Sequence, residues 1–495
     1  MKVPLAHYPG MNRFVLDWLG GDTRFLPRGT APRRDKSPRS AALANALIES
    51  NQKWGLFVRE DVERWQRGEG VTLVAGQQVG FAGGPLYTLA KIASLVKMKR
   101  ELEAAGTPAT VFFWLATEDH DIDEVATLAL PIDSKQRNLA QIRVSTPREH
   151  VAVGPQRIPE ALVTELLALL PMPRPSWLRE GITFGDSFAE LIASVFPRDV
   201  VLVDALLPEL RRAGEPLFRV AFGMWDAMQR ALRDRSAALQ HAGYTPQVVP
   251  REEDGAYTLF FALEENGTRR VIDDPARVDL PPERISTSAI TRPLLQDFVL
   301  QPDIFLGGPA EVAYYAQLAP LHEMLAVTMP RVALRAHALV APKRVLRAID
   351  RYGITADELF AEPDAILAER EPEGVAKIRA LADDARRDLI ARIEQIGELA
   401  LPADHSLSGK IHRSIGHIEY HFDKLTERAI KGLVRKDRDR YAAVREAVAT
   451  LHPDGHVQDR IVSWFAFWCT SGPALVEQLI ANVEPDSSVF NIVEL

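Results

Sequence analysis

The sequence predicts an α/β protein built on a parallel sheet, with inserted subdomains and an antiparallel helical arm towards the C-terminus. Three observations carry that prediction. Val71–Ala75 and Thr110–Ala116 are short apolar runs, and a helix-like segment, Leu86–Ala105, joins them before Gly106 and Pro108. Strand, helix, strand is a βαβ unit, whose strands lie parallel with a right-handed crossover. Asp199–Asp204 and Asp303–Leu306 repeat the buried-strand texture further on. Residues 345–450 then turn rich in Ala, Arg, Glu and Leu, with Ile378, Leu381, Leu389, Ile393 and Ile396 at helical spacing and a break at Leu401-Pro402, a pattern of two long helices folded back on each other.

In chain order, residues 1–135 read as the first part of the core. They open on a helical lead-in over 1–70, in which Ser40–Gln66 is mostly helix. Residues 136–185 carry many prolines and read as a first insertion. The core resumes over 186–240, and 241–285, with Gly255 and Gly267 between short strands, reads as a second, β-rich insertion. Residues 286–344 complete the core, where a strand runs into Gly307-Gly308-Pro309 and a helix spans Ala310–Leu325. The arm spans 345–455, its second helix running over Leu407–Leu433 and continuing as Tyr441–Leu451. Residues 456–495 form a C-terminal helical segment returning to the core, broken at Gly472-Pro473.

The composition narrows the function. A net charge of −8 and a pI near 5.9 argue against nucleic acid as the main partner. The single cysteine, Cys469, excludes an intramolecular disulfide and a cysteine-based zinc site, and it reads as a small core residue. No run approaches the roughly 18 apolar residues of a membrane span. The first residues lack the apolar core of a signal peptide, so the expectation is a cytoplasmic protein with no membrane partner.

Three segments could carry chemistry. Gly76–Pro85, leading into Tyr87, Thr88 and Lys91, places a glycine-rich loop between a buried strand and a helix. It is either a ligand loop, with amides aimed at an anion and Lys91 adding charge, or a tight structural turn. Its spacing fits neither a P-loop nor a dinucleotide fingerprint. Glu118, Asp119, His120, Asp121, Asp123 and Glu124 follow the Thr110–Ala116 strand. A solvated capping loop would explain some of these acids. Their placement at the carboxyl end of a buried strand favours acid–base or cation-binding work. Arg292, Gln296 and Asp297, with Gly307, Gly308, Glu311 and Tyr314, form a third set, in which Arg292 could grip a carboxylate and the glycine turn opens a helix. His417 and His421 stand four apart on the arm without the spacing of a metalloprotease motif, and read as a solvated helix face with no metal.

These blocks resemble a known family. Ala75-Gly76-Gln77-Gln78-Val79-Gly80-Phe81-Ala82-Gly83-Gly84-Pro85-Leu86-Tyr87-Thr88, Phe113-Trp114-Leu115-Ala116-Thr117-Glu118-Asp119-His120-Asp121, Arg292–Asp297 and Gly307–Tyr314 are similar, in order and spacing, to the motifs of the bacillithiol cysteine-adding ligases. Gln458, Arg460 and Gly472 fit more loosely. The resemblance runs from about residue 40 to 480. Ala75 replaces a usual threonine, Phe81 a leucine, and Ser286-Thr287-Ser288 stands where the family reads Ser-Pro-Asn, which bears on acceptor identity.

The resemblance implies a Rossmann-like core akin to class I synthetases and nucleotidyltransferases, two connective subdomains, and a coiled-coil arm that makes a homodimer. It implies amide formation between the cysteine carboxyl and the amine of glucosaminyl malate. Amide formation from a free carboxylate is uphill in water, so ATP is the expected activator, with Mg²⁺ as a candidate ion. On that scheme Gly76, Gln77, Gln78, Gly80, Gly84, Pro85, Tyr87, Thr88 and Lys91 hold phosphates. Glu118, Asp119, Asp121 and Asp123 position Mg²⁺ or the cysteine ammonium, and His120 or Glu118 is the general base. Arg292 and the turn running from Gly307 and Gly308 to Glu311 bind the malate carboxylates, and Gln296, Asp297 and Tyr314 complete the substrate- and nucleotide-binding set. The alternatives are a nucleotidyltransferase or amide ligase of the same fold acting on another amine, and a non-catalytic dimeric scaffold.

Overall fold

The structure is a computed structural model that describes residues 1–29, 39–120, 125, 127–133, 136–143, 150–170, 172–361 and 374–495. The chain divides into two compact units, 1–342 with 456–495, and 343–455. In chain order the strands are β1 (Lys2–Pro4), β2 (Val71–Gln77), β3 (Ala109–Leu115), β4 (Thr127–Asp133), β5 (Gln136–Arg143), β6 (Val201–Asp204), β7 (Phe260–Leu263), β8 (Arg269–Val271), β9 (Ile285–Thr287), β10 (Ile304–Gly307), β11 (Arg331–Leu334), β12 (His337–Ala341) and β13 (Val489–Glu494).

The core sheet has the order β11-β10-β2-β3-β6, and every neighbouring pair is parallel. Both faces are covered, so β3 is buried at every position and its sequence is continuously apolar rather than alternating. The chain builds from β2 towards β3 and β6 on one side and returns through β10 and β11 on the other. A topological switch therefore lies between β2 and β10, where the carboxyl ends of open α/β sheets leave a crevice. Helix Leu86–Ala104 makes the β2–β3 crossover. β4 and β5 form an antiparallel hairpin, and β8-β7-β9 form the small sheet of the 241–285 region.

Three expectations need correction. The lead-in is not wholly helical, because β1 pairs with β13 and β13 with β12 in a further sheet. A three-residue strand ending in Pro4, paired across 489 positions (Lys2↔Asn491), leaves no local signal. The C-terminal segment thus ends as a strand after helices Trp464–Ser471 and Pro473–Asn482. Cys469 is exposed rather than a core residue, its Sγ lying 3.8 Å from Met172 Sδ, because the helix turns Trp464, Phe465 and Ala466 inward instead.

In the 343–455 unit, helices Val375–Ala400 and Ser408–Leu451 run antiparallel, with Gly374 against Leu433 and Gly397 against Ile411. The second helix continues without interruption from Ser408 to Leu451, since the charged stretch after Leu433 contains no helix breaker. His417 and His421 are solvated there.

The C-terminal segment clamps the glycine loop. Trp464 is fully buried and its Nε1 donates to Gly83 O at 2.9 Å. Gly83 has φ +85°, and a Cβ there would fall 2.4 Å from Trp464 Nε1, so only glycine fits. Truncating Trp464 to alanine is expected to cost about 3–5 kcal/mol, read as a lowered urea midpoint for the full chain.

Candidate active site

Two cavities open at the carboxyl end of the sheet and meet at Arg292. The larger, about 280 Å³, lies at the β2–β10 switch. Its walls are Gly76 and Gln77 at the end of β2 with Gln78 just after it, Trp114 in β3 with Ala116 just after it, Tyr87 and Lys91 from helix Leu86–Ala104, Arg292 and Gln296 from helix Thr291–Leu300, and Gly308–Glu311 with Tyr314 at the opening of helix Pro309–Met324. Arg335 and Arg460 close it. The smaller, about 230 Å³, lies between the end of β3 and the β-rich insertion, against Asp119, His120, Val248, Val249, Phe261, Arg269 and Ile290.

Lys91 lies under the first cavity, buried, with Nζ donating to Gly76 O (2.7 Å), Gln77 Oε1 (3.1 Å) and Glu311 Oε2 (2.6 Å). Burial pushes its pKa down, and Glu311 opposes this. Glu311 Oε2 also accepts the Gly308 amide at 2.6 Å, so one carboxylate caps a helix and balances an ammonium. An ammonium has three protons to give, and all three are taken, which corrects the expectation that Lys91 reaches a phosphate. The amide end of helix Leu86–Ala104 is closed as well, because Leu86 N donates to Val462 O at 2.8 Å. Gly80 and Gly84 pack on each other, Pro85 bridges to Ser463, and Thr88 is buried, so these four do not line the cavity. The anion-friendly surface is instead Arg292, Arg335, Arg460 and the amide end of helix Pro309–Met324. Arg335 stacks over Tyr87, its ring centroid 5.3 Å away, and donates to Asp459 Oδ2 at 2.9 Å. Burial pushes the Asp459 carboxyl up, but Arg335 beside it outweighs this and holds it at about 2. Trp114 Nε1 is buried at this cavity without a hydrogen-bond partner among the described residues.

Gln78, Asp119 and Arg292 form the partition. Gln78 Nε2 donates to Asp119 Oδ2 (3.2 Å), which lies 3.5 Å from Arg292 Nη1, while Oδ1 accepts the His120 amide (2.8 Å). Burial raises the Asp119 pKa, but Arg292 and Arg269 more than offset it and keep the carboxylate charged. His120 Nδ1 faces Arg269 Nη1 at 2.7 Å. A guanidinium only donates, so Nδ1 accepts and the neutral ring carries its proton on Nε2.

Glu118 requires a correction. It is 1 % exposed, and its carboxylate accepts from Arg211 Nη2 (2.5 Å), Ser286 Oγ (2.7 Å), Thr287 N (3.0 Å) and Thr287 Oγ1 (2.5 Å). A carboxylate so saturated fastens the insertion to the sheet and does not serve as a base. Thr287, where the family pattern reads proline, supplies a backbone N–H that proline lacks. Asp297 is likewise buried, bonded to Tyr315 Oη (3.1 Å) and His322 Nε2 (2.9 Å), away from both cavities. Gly307 closes β10 beneath the turn, where a Cβ would press on Phe305 and Glu311. Asp121 and Asp123 lie outside the described residues, among which no group of three or more His, Cys, Asp or Glu side chains could hold a metal.

Sequence reasoning missed Arg211, Arg269 and Arg335, and named Trp114 and Arg460 only as members of matched blocks. An arginine inside a short strand, as in β8, was the one available signal.

Comparison with known proteins matches residues 23–336 to the model "Bacillithiol biosynthesis BshC, N-terminal Rossmann-like domain" and 338–495 to "Bacillithiol biosynthesis BshC, C-terminal coiled-coil domain". Curated relatives carry the provisional name cysteine ligase BshC. The Koribacter versatilis protein is 29% identical over 99% of both chains, that of Solibacter usitatus 30% over 84% of this chain and 82% of its own, and that of Staphylococcus carnosus 26% over 81% and 80%.

The buried Glu118 pair makes a stability prediction. Burial pushes the Glu118 pKa up, yet Arg211, Arg269 and the Ser286 and Thr287 hydroxyls hold it below its ordinary 4.5. A depressed carboxyl contributes stability above its unfolded pKa and loses it as pH falls through the folded value. Glu118→Gln leaves the Arg211 guanidinium buried and unpaired, which costs about 3–5 kcal/mol near neutral pH. Urea unfolding should show that deficit, and the gap to the parent should narrow on acidification below the ordinary carboxylate range.

Proposed function

Because the chain belongs to the BshC family of bacillithiol biosynthesis, we propose that this ligase joins the carboxyl group of cysteine to the amine of glucosaminyl malate. The observation that carries the reading is a pair of unlike cavities sharing one wall, Gln78–Asp119–Arg292, at the switch point of a parallel sheet. The larger cavity suits the acceptor. Arg292, Arg335 and Arg460 match malate carboxylates, and Gln77, Gln78 and Gln296 offer both donors and acceptors to sugar hydroxyls. Joining a carboxylate to an amine releases water and is uphill, so ATP as co-substrate would convert the carboxylate into an acyl donor. Asp119, held ionised within that shared wall, is the group placed to pair with an ammonium or take a proton from an amine. His120, locked by Arg269, serves as an Nε2–H donor rather than a base.

The homodimer rests on the 343–455 unit. Leu381, Ile396, Leu399 and Leu425 are each more than 60% exposed on its long helices, and a second copy of the same arm is the occupant that such an exposed apolar set fits. Leu399→Glu with Leu425→Glu should convert the protein to a monomer in analytical ultracentrifugation.

Mass-spectrometric detection of bacillithiol from purified protein, cysteine, glucosaminyl malate, ATP and Mg²⁺ tests the reaction. Product is expected with ATP and absent without it. Asp119→Asn should lower the rate by about 10²-fold or more in protein that still unfolds cooperatively, with a modest fall in melting temperature from the lost pairing to Arg292 and Arg269. Full activity in that variant would remove Asp119 from the chemistry.

A further inference from the structure

The smaller cavity has no assigned ligand, and its walls differ in kind from those of the larger one. Val248, Val249, Phe261, Ala289 and Ile290 make an apolar side, contributed mainly by the insertion and the turn after β9. Arg269 offers it little polar purchase. Its Nε donates to Ser286 Oγ (3.1 Å), Nη2 to Thr287 O (2.5 Å) and Nη1 faces His120 Nδ1, while its guanidinium lies 4.0 Å from the Phe261 ring centre. The charged groups left facing the space are Asp119 and Arg292, and both belong to the partition.

Building on the ligase reading above, we propose that this cavity is the amino-acid compartment, which takes a zwitterionic α-amino acid with a short apolar or thiol side chain. The ammonium pairs with Asp119, and the carboxylate lies against Arg292, the residue common to both cavities. The side chain enters the Val248–Val249–Ile290 side. That orientation presents the carboxylate to the acceptor cavity and the side chain away from it. It also explains why the insertion is fastened to the sheet through Glu118, since the apolar wall must hold its distance from Asp119 to set the permitted side-chain length. A thiol loses little by leaving water, whereas a serine hydroxyl leaves a hydrogen bond unmade against such a wall.

Ala289 and Val249 are exposed at the mouth, Val249 at 70%, so larger residues there should fill the cavity without disturbing the core. The test is isothermal titration of the full-length protein with L-cysteine and L-serine, together with steady-state KM values for cysteine and glucosaminyl malate. Ala289→Phe and Val249→Trp are each expected to weaken L-cysteine binding about tenfold or more, leaving the acceptor KM within about twofold. Arg460→Ala, at the other cavity, should show the reverse, and L-serine should bind the parent more weakly than L-cysteine. Unchanged cysteine affinity in both filled variants, with the parent still forming product, would overturn the compartment assignment alone. A parent that neither binds nor incorporates cysteine would overturn the ligase reading and this assignment with it.

Discussion

The buried carboxylate of Glu118 is the contact on which the candidate site depends. It stands at the end of β3, the most enclosed strand of the sheet, and draws in Arg211 from helix Pro208–Gly223 and Ser286 and Thr287 from β9. Arg211 also donates to Ala205 O and Ile285 O, and so ties the turn after β6 to the insertion. A lone buried ion would be prohibitively costly. Here both carboxylate oxygens accept hydrogen bonds, four in all, and the charge is matched, which makes the arrangement tolerable and geometrically strict. Strictness is what a small β-sheet needs if it is to hold one wall of a cavity opposite Asp119.

Charge is handled differently on the two sides of the partition. Around the larger cavity, Lys91 and Glu311 neutralise one another and Arg335 is matched by Asp459. Those cations shape and orient the wall, while Arg460, exposed at its rim, adds an accessible charge. An overall acidic chain thus carries a locally basic pocket. Net charge constrains the average surface and says little about a crevice lined by a handful of residues.

The first glycine loop, read from sequence as either a ligand loop or a tight structural turn, divides between the two. Gly76, Gln77 and Gln78 reach the cavity, but Gly80, Gly83 and Gly84 are glycines because Trp464 and the loop itself lie against them. A glycine required by a close neighbour and one required by a ligand look alike in sequence, and the neighbour here is almost 400 positions away. Glu118 and Asp119 are adjacent in sequence yet divided in role, because one side chain points into the interior and the other towards the crevice.

The sequence by itself determined the parallel αβ core, the two long helices of the second unit and the position of the crevice, because hydrophobic periodicity and glycine punctuation are local properties of the chain. It also placed Gln77, Gln78, Lys91, Asp119, Arg292, Gln296, Glu311 and Tyr314 near that crevice, through strand ends that the βαβ rule aims to one edge. Only the tertiary structure decided that Lys91 is spent on Glu311, that Glu118 and Asp297 are interior, that β1 and β13 close a further sheet, and that Arg211, Arg269 and Arg335 belong to the site. Each of those outcomes is a pairing of charge or backbone between segments far apart in the chain, and such pairings leave no periodic trace in either partner.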